Sequence, residues 1–287
     1  MSNFLILGCG YTGERVARRL LDRGERVHAS TREPARLEHL AARGAVTANL
    51  DLAKPGSREE LRRLAVDLAP ALRVLCSIPT LESGVGVALE ELPAILDPAP
   101  VRMVYLSTTA VYGETSEVNE HTPAHATEEE GRRRLETERA LARGSWSTLV
   151  LRPAAIYGPH RGLHVLLRQG TSGRIRDPGR LVSRVHVDDL AALVDSALSS
   201  EVTGAFPVAD DEPATTREVA AFCEGLGFPG LANGPPPLGP AMGFRGRRVD
   251  GRAIRRLLGI ELRYPSYRSG IPAAVEDEKL APRDPRA

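Results

Sequence analysis

Asn3-Phe-Leu-Ile-Leu-Gly8-Cys9-Gly10-Tyr11-Thr12-Gly13-Glu14 begins as an apolar run and passes through three glycines into a helical stretch ending near Asp22. A strand must turn sharply into a helix here. The glycines let the backbone approach a pyrophosphate and let the helix pack closely on its strand. Phosphates then sit at the helix N-terminus, where free N–H groups and the helix dipole favour anions. Gly8, Gly10, Tyr11, Thr12 and Gly13 are therefore candidate cofactor-binding residues. An isolated G-x-G-x-x-G carries little weight; the strand before it and the helix after it give this one its meaning.

Outward from this loop, strands and helices alternate. Residues 27–30 predict a second strand, after Gly24 stops the first helix. Leu37, Leu40 and Ala41 share one helical face closed by Gly44, and residues 45–48 predict a third strand. Ser57-Arg-Glu-Glu60 is a capping box opening a helix with Leu61, Leu64 and Leu68 inward. Further strands are expected at 72–76, 101–106 and 147–151, with helices at 84–96 and 127–143 between them. Repeated βα units with short links predict an α/β fold, a Rossmann-type doubly wound parallel sheet covered on both faces.

After Pro153 the regularity fades. An apolar helix at 187–198 returns to the sheet, and 205–208 is a short strand. Thr215-Thr-Arg-Glu218 is a second capping box, backed by Val219, Phe222 and Leu226. Asp250 caps a helix containing Ile254, Leu257 and Leu258, ended by Gly259. Residues 234–240 read as a stiff proline-rich loop and 276–287 as a loose tail. The expected division is a dinucleotide-binding domain over 1–159, rejoined by the helix near 187–199, and a smaller mixed substrate-facing lobe over 160–287.

The 287 residues carry 38 lysines and arginines against 37 acids, a net charge of +1. No basic block suggests nucleic acid, and no apolar run reaches the length of a membrane span. Met1-Ser-Asn3 leads straight into the first strand, which argues against a signal peptide. Cys9, Cys76 and Cys223 are widely spaced, fit a reducing cytoplasm and form no metal motif. Cys9 reads as a small residue filling a tight turn. His160 and His164 are four apart, but Gly158, Pro159 and Gly162 break the helix that two metal ligands would need, so no metal is expected. The expected partners are a small-molecule substrate and at most a second copy of the chain, as a homodimer. Lysine occurs only at Lys54 and Lys279, so nearly all positive charge is arginine.

Leu106-Ser-Thr-Thr-Ala-Val-Tyr-Gly113, Leu151-Arg-Pro-Ala-Ala-Ile-Tyr-Gly-Pro159, Val185-His-Val-Asp-Asp-Leu190 and Tyr264-Pro-Ser-Tyr-Arg-Ser-Gly270 follow the glycine loop in order. Together with that loop and Asp51-Leu52, they give a chain that resembles the extended short-chain dehydrogenase/reductases, the epimerase/dehydratase group. It is most similar to an atypical subgroup with a G-C-G-Y-x-G opening. The resemblance implies an NAD(P)-dependent oxidoreductase or epimerase-like enzyme acting on a hydroxyl or carbonyl substrate. It implies that Asp51 and Leu52 border the adenine. It also implies that Ser77, Ile78, Pro79 and Ser107 line the cofactor path, and that Pro153 and Ile156 lie beside the nicotinamide. These positions follow strand C-termini, where doubly wound sheets bind ligands.

NAD-selective sites usually place an acid near the end of the second strand, about 18 residues after the third glycine. Thr31 stands there, followed by Arg32. An acid would repel a 2′-phosphate; Arg32 pairs with one through a planar, charge-assisted contact, and Arg36 adds a second. NADP is therefore the expected cofactor, with NAD as the alternative.

The resemblance also implies a Ser/Thr followed by Tyr-x-x-x-Lys. Thr108, four residues before Tyr112, matches the first. The second is missing: Glu130 and Arg134 occupy the Tyr and Lys positions, and no tyrosine lies between Tyr112 and Tyr157. Arg134 can contact ribose or phosphate but is a poor proton donor. Glu130 serves as an acid only if burial raises its pKa. Thr108, Tyr112 and Glu130 are the candidate catalytic residues, with His125 and His186 as further donors. Arg168, Arg174 and Arg184 are candidates for an anionic substrate group. The rival reading is a non-catalytic NADP-binding redox or ligand sensor.

Overall fold

A computed structural model describes residues 2–79, 87–175, 177–231, 244 and 246–280. In chain order its elements begin with β1 (Asn3–Leu7), α1 (Gly13–Asp22), β2 (Arg26–Thr31), α2 (Glu38–Ala41), β3 (Val46–Asn49) and α3 (Ser57–Leu68). They continue with β4 (Leu72–Cys76), α4 (Leu92–Ile95), β5 (Arg102–Leu106), β6 (Glu117–Val118), α5 (Glu129–Leu141), β7 (Ser147–Pro153) and β8 (Ala155–Tyr157). Next are α6 (Leu163–Arg168), β9 (Leu181–Val182), β10 (Arg184–His186), α7 (Val187–Ser199), β11 (Gly204–Val208) and β12 (Ala214–Thr215). The last are α8 (Thr216–Gly225), β13 (Gly246–Val249), α9 (Arg252–Leu258) and α10 (Tyr267–Leu280).

β1 is apolar on both sides because it is covered on both faces. Alternate residues divide between two cores. Phe4 and Ile6 pack with Val16, Ala17 and Leu20 of α1 and Leu190 and Val194 of α7. Leu5 and Leu7 pack with Leu61 and Ala65 of α3, Leu92 and Ile95 of α4, and Leu141 of α5. Seven parallel strands form the sheet in the order β11-β7-β5-β4-β1-β2-β3. The chain steps to one side through β2 and β3, then to the other through β4, β5 and β7. The order therefore reverses between β1 and β4, and a crevice opens outside their carboxyl ends. The expected doubly wound sheet is thus present, with a smaller mixed sheet, β12-β9-β13-β6, beside it. α7 packs on the sheet, and Arg19 of α1 and Arg23 just after it hold its buried Asp195 at 3.2 and 2.5 Å. No helix among the described residues is long and apolar enough to cross a membrane.

Several local expectations are corrected. Ser57 does not cap α3: Gly56 takes the cap position, and the Ser57 hydroxyl turns inward to the Lys54 carbonyl at 2.8 Å. The helix expected at 84–96 is only a 3-10 turn, Leu89–Glu91, followed by α4; Pro93 fits a first helical turn but not a helix interior. Residues 84–86 and the loop 234–240 lie outside the described residues. Ala41, Leu226 and Leu257 are exposed; in α9 the core side is taken by Ala253, Ile254 and Leu258. Asp250 stands one residue before the cap, Gly251, yet its carboxylate accepts from the Arg252 N–H at 2.9 Å. The Thr215–Glu218 capping box is formed on both sides. The tail expected to be loose from 276 is helical to Leu280, because Glu278 is buried and bonded; 281–287 lie outside the described residues.

Candidate active site

A cleft of about 440 Å³ opens at the carboxyl ends of β1, β2, β4, β5 and β7. The loop after β1 contributes Gly8, Gly10, Tyr11 and Thr12; the end of β2 contributes Thr31, Arg32 and Arg36; the stretch after β3 contributes Asp51 and Leu52. Ser77, Ile78 and Pro79 follow β4, Ser107 follows β5, Arg134 comes from α5, and Pro153 and Ile156 come from β7 and β8. Gly13 is not on the wall. A Cβ there would lie 3.1 Å from Ile6 Cγ2 and 3.2 Å from the Gly8 carbonyl, so Gly13 lets α1 pack on β1. Gly8 has φ of +82°, and a Cβ there would lie 2.8 Å from Ile78, so glycine is required. Gly10 differs: a Cβ there meets nothing within 4 Å, which leaves open space above the backbone.

Arg32 and Arg36 have no carboxylate partner among the described residues. The arginines of α1 differ, since Arg15 holds Asp188 at 2.9 Å and Arg19 and Arg23 hold Asp195. Arg134 donates to the Tyr105 hydroxyl and the Leu106 carbonyl, each at 3.2 Å, while its buried Nε has no protein partner. Sequence reasoning missed Glu33, Leu50, Leu106 and Arg161, which also line the cleft. Glu33 is exposed two residues past the acid position of an NAD site. Cys9 also lines the cleft, but burial pushes its thiol up to about 12, so it is not a reactive thiolate.

Behind Ser107 lies a buried charged chain. The Ser107 hydroxyl donates to Glu138 at 2.5 Å, and Arg152 grips Glu138 with contacts of 2.6, 3.1 and 3.2 Å. Arg152 also donates to the Tyr112 hydroxyl at 3.1 Å. Glu138 falls on the buried side of α5, one turn after Arg134. No local feature of the sequence marked it among the charged residues of α5; its burial shows only in the packed structure.

The candidate catalytic residues separate. Thr108 is half-buried, and its Oγ1 accepts from the Ala110 N–H at 3.2 Å, which leaves its own proton free to donate. Tyr112 is buried, and burial raises its pKa. Glu130 is exposed in the first turn of α5, so the burial on which its candidacy rested is absent. His186 is fully buried and accepts from the Asp188 N–H through Nδ1 at 3.2 Å, capping α7; burial pushes it down to about 4, so it is neutral. His125 is exposed. Of the substrate-anion candidates, Arg168 is tied to Glu278 at 2.5 Å, and buried Arg184 donates to the Val182 and Ala214 carbonyls at 2.8 Å. Nothing is described of the Arg174 side chain. No group of three or more His, Cys, Asp or Glu among the described residues is arranged to hold a metal.

A second cleft, about 610 Å³, lies beside β6 and β13 and includes Asp210, whose buried Oδ2 has no partner among the described residues. Burial pushes Asp210 up to about 8. The folded state then keeps a proton that the unfolded chain releases above about pH 4, so stability falls as pH rises from roughly 4 to 8. His186, lowered to about 4, acts oppositely, losing stability as pH falls from about 6.5. Above pH 6.5 only Asp210 of the two still acts. Asp210→Asn is expected to raise Tm relative to the wild type more at pH 8 than at pH 6. A Tm difference that does not change with pH would place the proton elsewhere.

A model of the NAD dependent epimerase/dehydratase family matches residues 4–208. Over 160 residues the chain is 32% identical to a 3-diazoavenalumate denitrifying reductase from a Streptomyces species, covering 47% of this chain and 50% of that one. The match thus spans about half the length of that curated relative. A structure of a functionally unknown conserved protein from Silicibacter pomeroyi DSS is similar, with TM-score 0.75 and 31% identity over 96% of this chain and 99% of that one. The Thermus thermophilus UDP-glucose 4-epimerase in complex with NAD has TM-score 0.75 at 20% identity, covering 98% and 100% of the two chains. At that identity the likeness speaks for the fold alone.

Proposed function

The chain belongs to the NAD-dependent epimerase/dehydratase family, and from that premise we propose that it is an NADP(H)-dependent oxidoreductase acting on a hydroxyl- or carbonyl-bearing substrate. The observation that carries the cofactor half is the pair of unpartnered guanidiniums, Arg32 and Arg36, on the cleft wall where an NAD-selective site keeps an acid. The residues present fit a dinucleotide. Gly10 leaves open space above the loop, and the buried Arg134 Nε on the wall lacks a partner.

Gly8, Gly10, Tyr11 and Thr12 would hold the diphosphate, with Asp51 and Leu52 beside the adenine. Arg32 and Arg36 would pair with the 2′-phosphate. Ser77, Ile78, Pro79, Pro153 and Ile156 would line the rest of its path. When bound, the nicotinamide supplies the hydride donor or acceptor. The hydroxyl pair at the end of β5 divides the polar work. Ser107, its proton committed to Glu138, offers lone pairs to a donor on the cofactor. Thr108, its lone pair taken by Ala110, keeps its proton for a substrate oxygen. Arg134 holds the wall of the cleft, and a guanidinium is a poor proton donor.

Titration calorimetry is expected to show tighter binding of NADP⁺ than of NAD⁺. Arg32→Ala should narrow the gap by about 1–3 kcal/mol, the range for a charged hydrogen bond. Equal wild-type affinities would sink the NADP reading. A screen of carbonyl compounds for NADPH oxidation tests the hydride chemistry, and tight NADPH binding without any turnover would argue for a sensor instead.

A further inference from the structure

Resting on the dinucleotide reading of the same cleft, we propose that Arg161 is a second phosphate-binding residue, clamping the cofactor diphosphate at the glycine loop, and that Glu278 positions it. Arg161 lines the cleft, and its guanidinium carbon lies 5.3 Å from the centre of the Tyr11 ring. Tyr11 belongs to the loop that turns β1 into α1, where the α1 N-terminus already favours an anion. Among the described residues Arg161 has no carboxylate partner, although the arginines around it do. Arg15, on the same Tyr11 ring at 4.3 Å, is tied to Asp188, and Arg168 to Glu278. The unspent positive charge therefore stands over the segment that binds phosphate. A guanidinium meets phosphate oxygens with two parallel donors, a geometry an ammonium lacks.

The backbone that carries Arg161 is held from both sides. Gly158 and Arg161 exchange N–H···O bonds of 2.9 and 3.0 Å, and the Tyr11 hydroxyl donates to the Pro159 carbonyl at 2.9 Å. From the other side, α10 inserts Glu278, whose carboxylate accepts from the His160 N–H at 2.5 Å, meets His164 Nε2 at 3.1 Å and holds Arg168. The Glu278 side chain is only 5% exposed. One acid near the end of α10 thus fixes the turn from which Arg161 reaches the cleft. That preorganisation reduces what remains to be ordered when the ligand arrives. Glu278 bonds to His160, His164 and Arg168 and acts on Arg161 through the turn.

Three probes distinguish this role from the 2′-phosphate site: NADP⁺, NAD⁺ and adenosine 2′-monophosphate, the last of which has no diphosphate. Arg161→Ala is expected to weaken NADP⁺ and NAD⁺ by the same factor, about tenfold to a hundredfold, and to leave adenosine 2′-monophosphate unchanged. Arg161→Lys should recover part of the loss. Glu278→Gln should weaken both dinucleotides equally by a smaller factor, again sparing the monophosphate. Unchanged dinucleotide binding in Arg161→Ala overturns the clamp, as does an equal loss for the monophosphate. Unchanged binding in Glu278→Gln overturns the positioning. A wild-type protein that binds neither dinucleotide overturns the cofactor reading itself, a separate result.

Discussion

Gly10→Val is expected to fold as the wild type does and to lose NADP(H) affinity by more than about a hundredfold. The two halves of that expectation have separate causes. A Cβ at Gly10 meets no atom of the described residues within 4 Å, so a β-carbon there displaces nothing and the side chain starts in open space. The space it enters is the space above the glycine loop, where a phosphate must approach the backbone closely. Gly8 does not allow such a separation. Its φ of +82° and the approach to Ile78 make any side chain there strained, at about 1–3 kcal/mol, so lost binding and lost stability arrive together. Equal Tm for wild type and Gly10→Val, with calorimetric binding lost, is the expected pair of results. Retained binding at wild-type strength would mean that the ligand lies elsewhere in the cleft.

Arg152→Met is expected to destabilise the protein by about 3–5 kcal/mol. Arg152 and Glu138 are 9% and 5% exposed, and Arg152 supplies all but one of the hydrogen bonds that Glu138 accepts. Removing it strands a carboxylate between β5, β7 and α5, with only the Ser107 hydroxyl left. Replacing both partners, Arg152→Met with Glu138→Leu, removes the stranded charge and should return most of the loss. The midpoint of urea unfolding at unchanged slope reads both effects. A single-variant loss under about 1 kcal/mol would show that the pair carries little of the stability, as exposed pairs do.

The residues that line the cleft were legible because their signals are short-range. Strand, glycine turn and helix are adjacent in the chain, and the residues just after successive parallel strands converge wherever those strands end. Gly8 through Thr12, Thr31, Arg32, Asp51, Ser77 and Pro153 each sit at a strand terminus or a few residues past one. The candidate catalytic residues were not legible in the same way. Glu130 and Glu138 are both glutamates of one charged helix, and the sequence offers no local mark to separate them. Helical phase puts Glu130 in solvent and Glu138 under Arg152. The tail misled for a related reason: the charge-rich stretch from Glu276 looks solvated, yet Glu278 finds three partners on the turn and helix after β8.

The sequence by itself determined the α/β class, the position of the glycine loop, the absence of an acid at Thr31 and the absence of any Tyr-x-x-x-Lys motif. Each of these is a matter of which residue type stands at which step of a local pattern. Only the tertiary structure decided which arginines are spent and which are free. Arg152, Arg168 and Arg184 are consumed by buried or half-buried partners, whereas Arg32, Arg36 and Arg161 face the cleft without a carboxylate partner among the described residues. The physical reason is range. Arg15 meets Asp188 across 173 residues and Arg168 meets Glu278 across 110, because burial makes a charge take whatever partner the packed elements bring beside it. In a chain with 38 basic and 37 acidic groups, composition cannot say which few remain over for a ligand; the packing of α1, α6, α7 and α10 does.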